Sequence, residues 1–155
     1  MDIAMKWKGK MAFEAMGESE IVQKIDADIS VGGDNNGPRP MELIAMGLGG
    51  CTAMDVISIL QKKKQPVMDF QVRVHADRAD EHPKVFTQAV IEYLVTGRSV
   101  DEAAVMRAIG LSAEKYCPAQ AMLGKAFPMK LIYKILDEDT NAVIKEGEYI
   151  QEKTG

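Results

Sequence analysis

Only two cysteines and two histidines occur in the 155 residues, and that scarcity excludes several kinds of chemistry. Cys51 and Cys117 are too few for the disulfide framework of a small secreted fold, so reduced thiols in a cytoplasmic setting are expected. Neither they nor His75 and His82 show the paired spacing of a zinc site, so no metal and no cofactor is expected. A Cys–His hydrolase lacks support as well, because His75 falls on the wet face of a strand and His82 in a charged turn. Basic excess is missing too. With a net charge of −4 and a pI near 5.2, the chain has no basic patch for nucleic acid, and Lys62-Lys63-Lys64 is the solvated end of a helix. The longest apolar stretch, Leu43 to Met54, is short for a bilayer and carries Gly47, Gly49 and Gly50, so no membrane span is expected. Met1 to Lys6 lacks a charged-then-apolar signal pattern. Gly47-Leu48-Gly49-Gly50 lacks the lysine of a phosphate loop, and neither a repeat nor a low-complexity tract is present.

What remains is a chain of one domain's length, 46% hydrophobic, with eleven methionines that serve as adaptable core filler or apolar binding surface. Met5, Trp7, Gly9, Met11, Phe13 and Ala15 alternate with lysines and Glu14, which predicts a strand or hairpin with a bend at Gly9. Ile21 to Ile25 is a short further strand, and Gly32 to Pro40 is a breaker-rich loop or linker. The strongest helix runs from about Met41 to Lys64, ended by Gln65-Pro66. Its glycines weaken it by roughly 1 kcal/mol each relative to alanine, so a neighbouring backbone or ligand is expected close by. Phe70, Val72, Val74 and Ala76 alternate with Gln71, Arg73, His75 and Asp77, and Val85 to Thr96 forms the second strand of an antiparallel hairpin with an acidic tip. Ser99 and Glu102 form a capping box for a helix that presents Val105, Ile109, Ser112 and Tyr116 on one side and runs to Cys117. Pro118 opens a short helix, Met129 to Leu136 is a strand, and the tail holds at most a short edge strand at Val143-Ile144. The order predicts an α+β fold in one domain over 1–155: N-terminal strands and linker 1–38, helix-strand core 39–136, polar tail 137–155.

The two cysteines stand in unlike settings. Cys51 lies within the apolar helix, where burial raises a thiol's pKa, and Cys117 precedes a proline-started helix whose amides favour a thiolate. On electrostatics Cys117 is the better thiolate. Both also fit inert, buried small hydrophobes.

Pro38-Arg39-Pro40-Met41-Glu42-Leu43, then Ala45-Met46-Gly47-Leu48-Gly49-Gly50-Cys51-Thr52-Ala53-Met54-Asp55-Val56, resembles the first cysteine motif of the OsmC/Ohr family (osmotically inducible protein C and organic hydroperoxide resistance protein). Leu111-Ser112-Ala113-Glu114-Lys115-Tyr116-Cys117-Pro118 resembles the second. Val95-Thr96-Gly97-Arg98, with Ile57 to Lys62, is similar to the YhfA-like branch, and the likeness covers about residues 1–136. The resemblance implies an OsmC-like fold: antiparallel sheets around a long cysteine-bearing helix, in an intertwined homodimer with its sites at the interface. It implies a peroxidase of the stress response that reduces organic hydroperoxides, with Cys51 the attacking thiol, Cys117 the resolving one, and a thioredoxin-like or lipoyl dithiol as reductant. The pocket would be lined by Leu43, Met46, Leu48 and Met54.

Two positions depart from the family pattern. The hydroperoxide-resistance branch pairs a glutamate that opens the cysteine helix with an arginine from the N-terminal strands. Here Met41 takes the glutamate's place, and Glu42, one residue later, is rotated by about 100° on a helix. Arginine first occurs at Arg39, so Arg39 and Glu42 are the candidates for that pair. A second function stays open: non-enzymatic binding of a small apolar molecule at the dimer interface.

Overall fold

Alternating apolar and polar residues make the first strands, and a glycine makes their turn. In the computed structural model, which describes residues 1–150, β1 (Ala4–Gly9) pairs antiparallel with β2 (Ala12–Met16), Trp7 opposite Phe13. β3 (Gln23–Ile25) completes a sheet of order β1-β2-β3. The bend expected at Gly9 is there: its φ of 107° is a conformation that glycine adopts without a Cβ clash. The indole N–H of Trp7 donates to the Lys10 carbonyl across the turn at 2.9 Å.

The segment after β3 is held by carboxylates. Asp26, buried, accepts the backbone N–H groups of Ala27, Asp34 and Asn36 at 2.8, 3.1 and 3.0 Å, and these donors keep its carboxyl below the usual range. Asp28 caps a single 3₁₀ turn, Ile29–Val31. These elements form one compact unit, Met1–Ala45. Helix α1 (Pro40–Lys62) begins in it, with Pro40 in the first turn where a missing N–H costs nothing, and continues through the second unit, which starts at Met46.

The second unit is built on a sheet of order β4-β5-β6-β7. β4 (Val67–Arg78) and β5 (Phe86–Gly97) form the antiparallel hairpin, with Phe70, Val72 and Val74 turned toward the core and His75 toward solvent. The chain then crosses over through α2 (Glu102–Leu111), a π-helical turn (Ser112–Tyr116) and α3 (Pro118–Leu123) to β6 (Met129–Leu136), parallel to β5. The core is one cluster: Leu48, Val56 and Leu60 of α1, Ile91, Tyr93 and Val95 of β5, Val105, Ala108 and Ile109 of α2, and Leu131, Tyr133 and Ile135 of β6. Gly49 lies against Val74, whose methyl would sit 3.0 Å from an added Cβ. Gly47 and Gly50 face open space.

The structure corrects several expectations. The cap of α2 is Asp101, whose carboxylate accepts from Ala103 N at 3.0 Å. Glu102 does not reach back to a Ser99 cap, because its carboxylate accepts the Tyr133 hydroxyl at 2.8 Å. The crossover helix does not keep one face to Cys117: the wider π turn, closed by Cys117 N to Ser112 O at 2.9 Å, shifts the phase, exposing Tyr116 and burying Cys117. The tail strand is longer than Val143-Ile144. β7 (Val143–Tyr149) pairs along β6, and the Tyr149 ring lies against Gly110 of α2. Of the expected tail, 151–155 lie outside the described residues. Finally, with both flanks helical, α1 has the length and apolar composition of a membrane span, a test that the core helix of a soluble protein also passes.

The corrected cap separates two substitutions. Asp101→Ala should destabilise the protein by about 1 kcal/mol, whereas Ser99→Ala should stay within about 0.5 kcal/mol. Urea denaturation of both variants reads the difference.

Candidate active site

Residues recurring every fourth position make one stripe of α1 fit the sheet. Leu48, Thr52, Val56 and Leu60 are all buried. Thr52 is the polar member of that stripe, and its hydroxyl is satisfied on two sides. It lies 2.7 Å from Tyr93 Oη and 2.9 Å from Ser112 Oγ, and Ser112 Oγ donates to Asp55 Oδ2 at 3.0 Å. Each hydroxyl has one proton, and Ser112 gives its own to the carboxylate. Thr52 must therefore donate to Ser112, and Tyr93 to Thr52. The result is a directed chain, Tyr93 to Thr52 to Ser112 to Asp55, tying β5, α1 and the π turn together. Burial, the larger cause, pushes the Tyr93 phenol up to about 12, so it stays a donor.

The two thiols meet beside this chain. Cys51 is next to Thr52 on α1 and half-buried; Cys117 is 2% exposed. Cys117 Sγ donates to Cys51 Sγ at 2.9 Å, and as the cap of α3 it accepts from Gln120 N at 3.3 Å. Chain folding thus brings the two cysteine motifs together. Their electrostatics reverse the expectation from sequence. Burial, then the hydrogen bond to Cys51, pushes the Cys117 thiol up to about 12, against the smaller pull of the Gln120 and Ala119 amides. A six-residue helix offers few amides, and desolvation of the thiolate outweighs them. Cys117 is the deeply buried sulfur, not Cys51.

Arg39 and Glu42 pair with each other inside the first unit. Arg39 Nη1 lies 3.1 Å from Glu42 Oε1, and the Arg39 backbone N–H donates to Glu42 Oε2 at 2.9 Å. Arg39 Nη2 also holds Asp28 at 2.6 Å. The Ser30 hydroxyl and amide, then Arg39, hold the Asp28 carboxyl at about 2. Of the expected pocket residues, Leu43 is half-buried in the first unit. In the second, Leu48 packs into the core, while Met46 and Met54 are 59% and 74% exposed.

Sequence reasoning missed Asp55, Thr52, Ser112, Tyr93 and Gln120. Gln120 is buried, and its Nε2 has no acceptor among the described residues. A signal for Asp55 existed: a carboxylate one helical turn after Cys51 in an otherwise apolar run. Cys51 Sγ, Cys117 Sγ and an Asp55 oxygen all lie within 4.8 Å of one another, the one such cluster of metal-ligand type among the described residues.

Two sheets, a long cysteine-bearing helix and a facing second thiol define a two-thiol protein of the OsmC/Ohr kind. The chain belongs to the OsmC-like protein family, whose pattern matches residues 33–132. It is 41% identical over 136 residues to Protein YhfA of Escherichia coli (strain K12), covering 88% of this chain and 98% of that protein. A hypothetical protein from Aquifex aeolicus VF5 superposes with a TM-score of 0.78 at 28% identity, over 89% of this chain and 97% of that one. The organic hydroperoxide resistance protein OhrB of Bacillus subtilis shares the fold, with a TM-score of 0.58 at 14% identity over 86% and 96% of the two chains. The motif resemblance thus holds at the level of the family and of the YhfA-like branch.

Exposure and burial together predict unequal labelling. Iodoacetamide at pH 8 should modify Cys51 at least about tenfold faster than Cys117 in the reduced, folded protein, as thiolate access governs the rate. Peptide mass spectrometry over a time course checks it.

Proposed function

We propose that this protein is a soluble, cytoplasmic thiol peroxidase that reduces organic hydroperoxides with its own two cysteines and no cofactor. The observation that carries the reading is the 2.9 Å approach of an accessible sulfur and a buried one. Cys51 attacks the hydroperoxide as a thiolate, becoming a sulfenic acid and releasing the alcohol. Cys117 then attacks Cys51 Sγ; water leaves, and the sulfurs close by under about 1 Å to the roughly 2.0 Å of a disulfide bond. A thioredoxin-like or lipoyl dithiol restores the thiols. Membership of the OsmC-like family supports a role in redox stress. The Arg39–Glu42 pair, which ties the loop before α1 to the helix's first turn, is this chain's counterpart of the family's arginine–carboxylate pair.

The partner is a second copy of the chain. Met46, Gly50 and Met54 recur at four-residue spacing on the side of α1 away from its buried stripe, and all are exposed. Such an apolar stripe fits a self-complementary interface better than water. A small apolar ligand is the competing occupant, favoured by the same exposed methionines.

Cys51→Ser should abolish turnover of cumene hydroperoxide. Cys117→Ser should consume one equivalent per chain and then stall as a sulfenic acid that its own subunit cannot resolve. Stopped-flow rates no faster than free cysteine with every hydroperoxide would support the ligand-binding reading instead. Sedimentation equilibrium at micromolar concentration should give a dimer, and a stable monomer would remove the proposed interface.

A further inference from the structure

We propose that the reduced protein binds one soft divalent cation of the zinc class between Cys51, Asp55 and Cys117, and that disulfide formation destroys the site. Zinc takes sulfur at about 2.3 Å and carboxylate oxygen at about 2.0–2.2 Å, which sets tetrahedral ligand atoms roughly 3.5–3.8 Å apart. The three ligand atoms already lie within 4.8 Å of one another. The sulfurs, at 2.9 Å, need to open by about 1 Å to admit the ion. Cys51 and Asp55 stand on successive turns of α1, so a single helix supplies two ligands on one face, and the N-cap of α3 supplies the third.

The surroundings suit a metal as well as the ligands do. Ser112 donates to Asp55 Oδ2 and so fixes the carboxylate that would face the ion. The Gln120 N–H on Cys117 Sγ remains a donor when that sulfur becomes a thiolate. Such outer hydrogen bonds fix ligand orientation. Cys51 and Asp55 are only half-buried, so an ion can reach them from solvent. Three protein ligands leave a fourth position for water. Binding displaces one proton from each thiol. Oxidation by a hydroperoxide takes two electrons from the thiolates and, with two protons, yields the disulfide, the alcohol, water and the free cation. Metal and peroxide therefore compete for the same sulfurs.

The site needs the thiol pair but not the peroxidase activity, so the test avoids peroxide. The reduced, full-length protein is titrated anaerobically with cobalt(II), read by its sulfur-to-metal charge-transfer band, and with zinc against a chromophoric chelator. One ion per chain should bind with micromolar or lower Kd. The wild-type disulfide, made with diamide, should bind at least 100-fold more weakly, a control that needs no substitution. Asp55→Asn should weaken zinc at least about tenfold and shift the cobalt spectrum, and Ser112→Ala should weaken it about tenfold. Affinity no better than that of the Cys51→Ser, Cys117→Ser double variant would overturn the proposal. An unchanged affinity and spectrum in Asp55→Asn would overturn the three-ligand site.

Discussion

The hydroxyl chain from Tyr93 through Thr52 and Ser112 to Asp55 is the interaction on which the rest of the second unit's site depends. It joins a central strand, the long helix and the π turn at fully buried positions. Leaving one buried hydroxyl unpaired costs about 1–3 kcal/mol, so the three elements cannot slide by a residue without losing partners. Leu48, Val56 and Leu60 supply the apolar adhesion, but apolar packing alone tolerates small rotations. The directed chain removes that freedom. Cys51 precedes Thr52 on α1, and Cys117 hydrogen-bonds back to Ser112 through its backbone, so both sulfurs are placed by residues inside the chain.

The site gains an asymmetry from the same arrangement. A helix start normally favours a thiolate, and sequence alone assigns that benefit to Cys117. The folded chain buries this sulfur behind Cys51, and desolvation dominates. A protonated, buried inner thiol beside a half-buried outer one leaves the two sulfurs unequal in their contact with solvent.

The strands and the long helix were legible in the sequence because their signals are local. Alternation around Phe70 to Asp77, the breaker at Gln65-Pro66 and the proline after Cys117 each report on a few adjacent residues. The meeting of Cys51 and Cys117 was legible only through the family motifs, since spacing says nothing about which turns of which helices touch. Asp55, Tyr93 and Ser112 escaped because a hydrogen-bond chain between a helix, a strand and a π turn has no sequence period. The cap of α2 was misassigned for a related reason: Glu102 satisfies the capping-box pattern, yet a tyrosine on β6 claims its carboxylate. Long-range partners override local propensity wherever a buried donor needs an acceptor.

The fold sets the stage for chemistry without choosing it. A TM-score of 0.78 to the Aquifex aeolicus protein and of 0.58 to OhrB places this chain on a shared scaffold that admits much variation at the level of side chains. Two local arrangements sit on that scaffold: an Arg39–Glu42 ion pair at the start of α1 in the first unit, and in the second unit a carboxylate, Asp55, one turn after the first cysteine. A carboxylate oxygen within 4.8 Å of both sulfurs opposes negative charge on them, an opposition that a bound cation would relieve. Such side-chain electrostatics, rather than the backbone, governs how readily the paired thiols ionise.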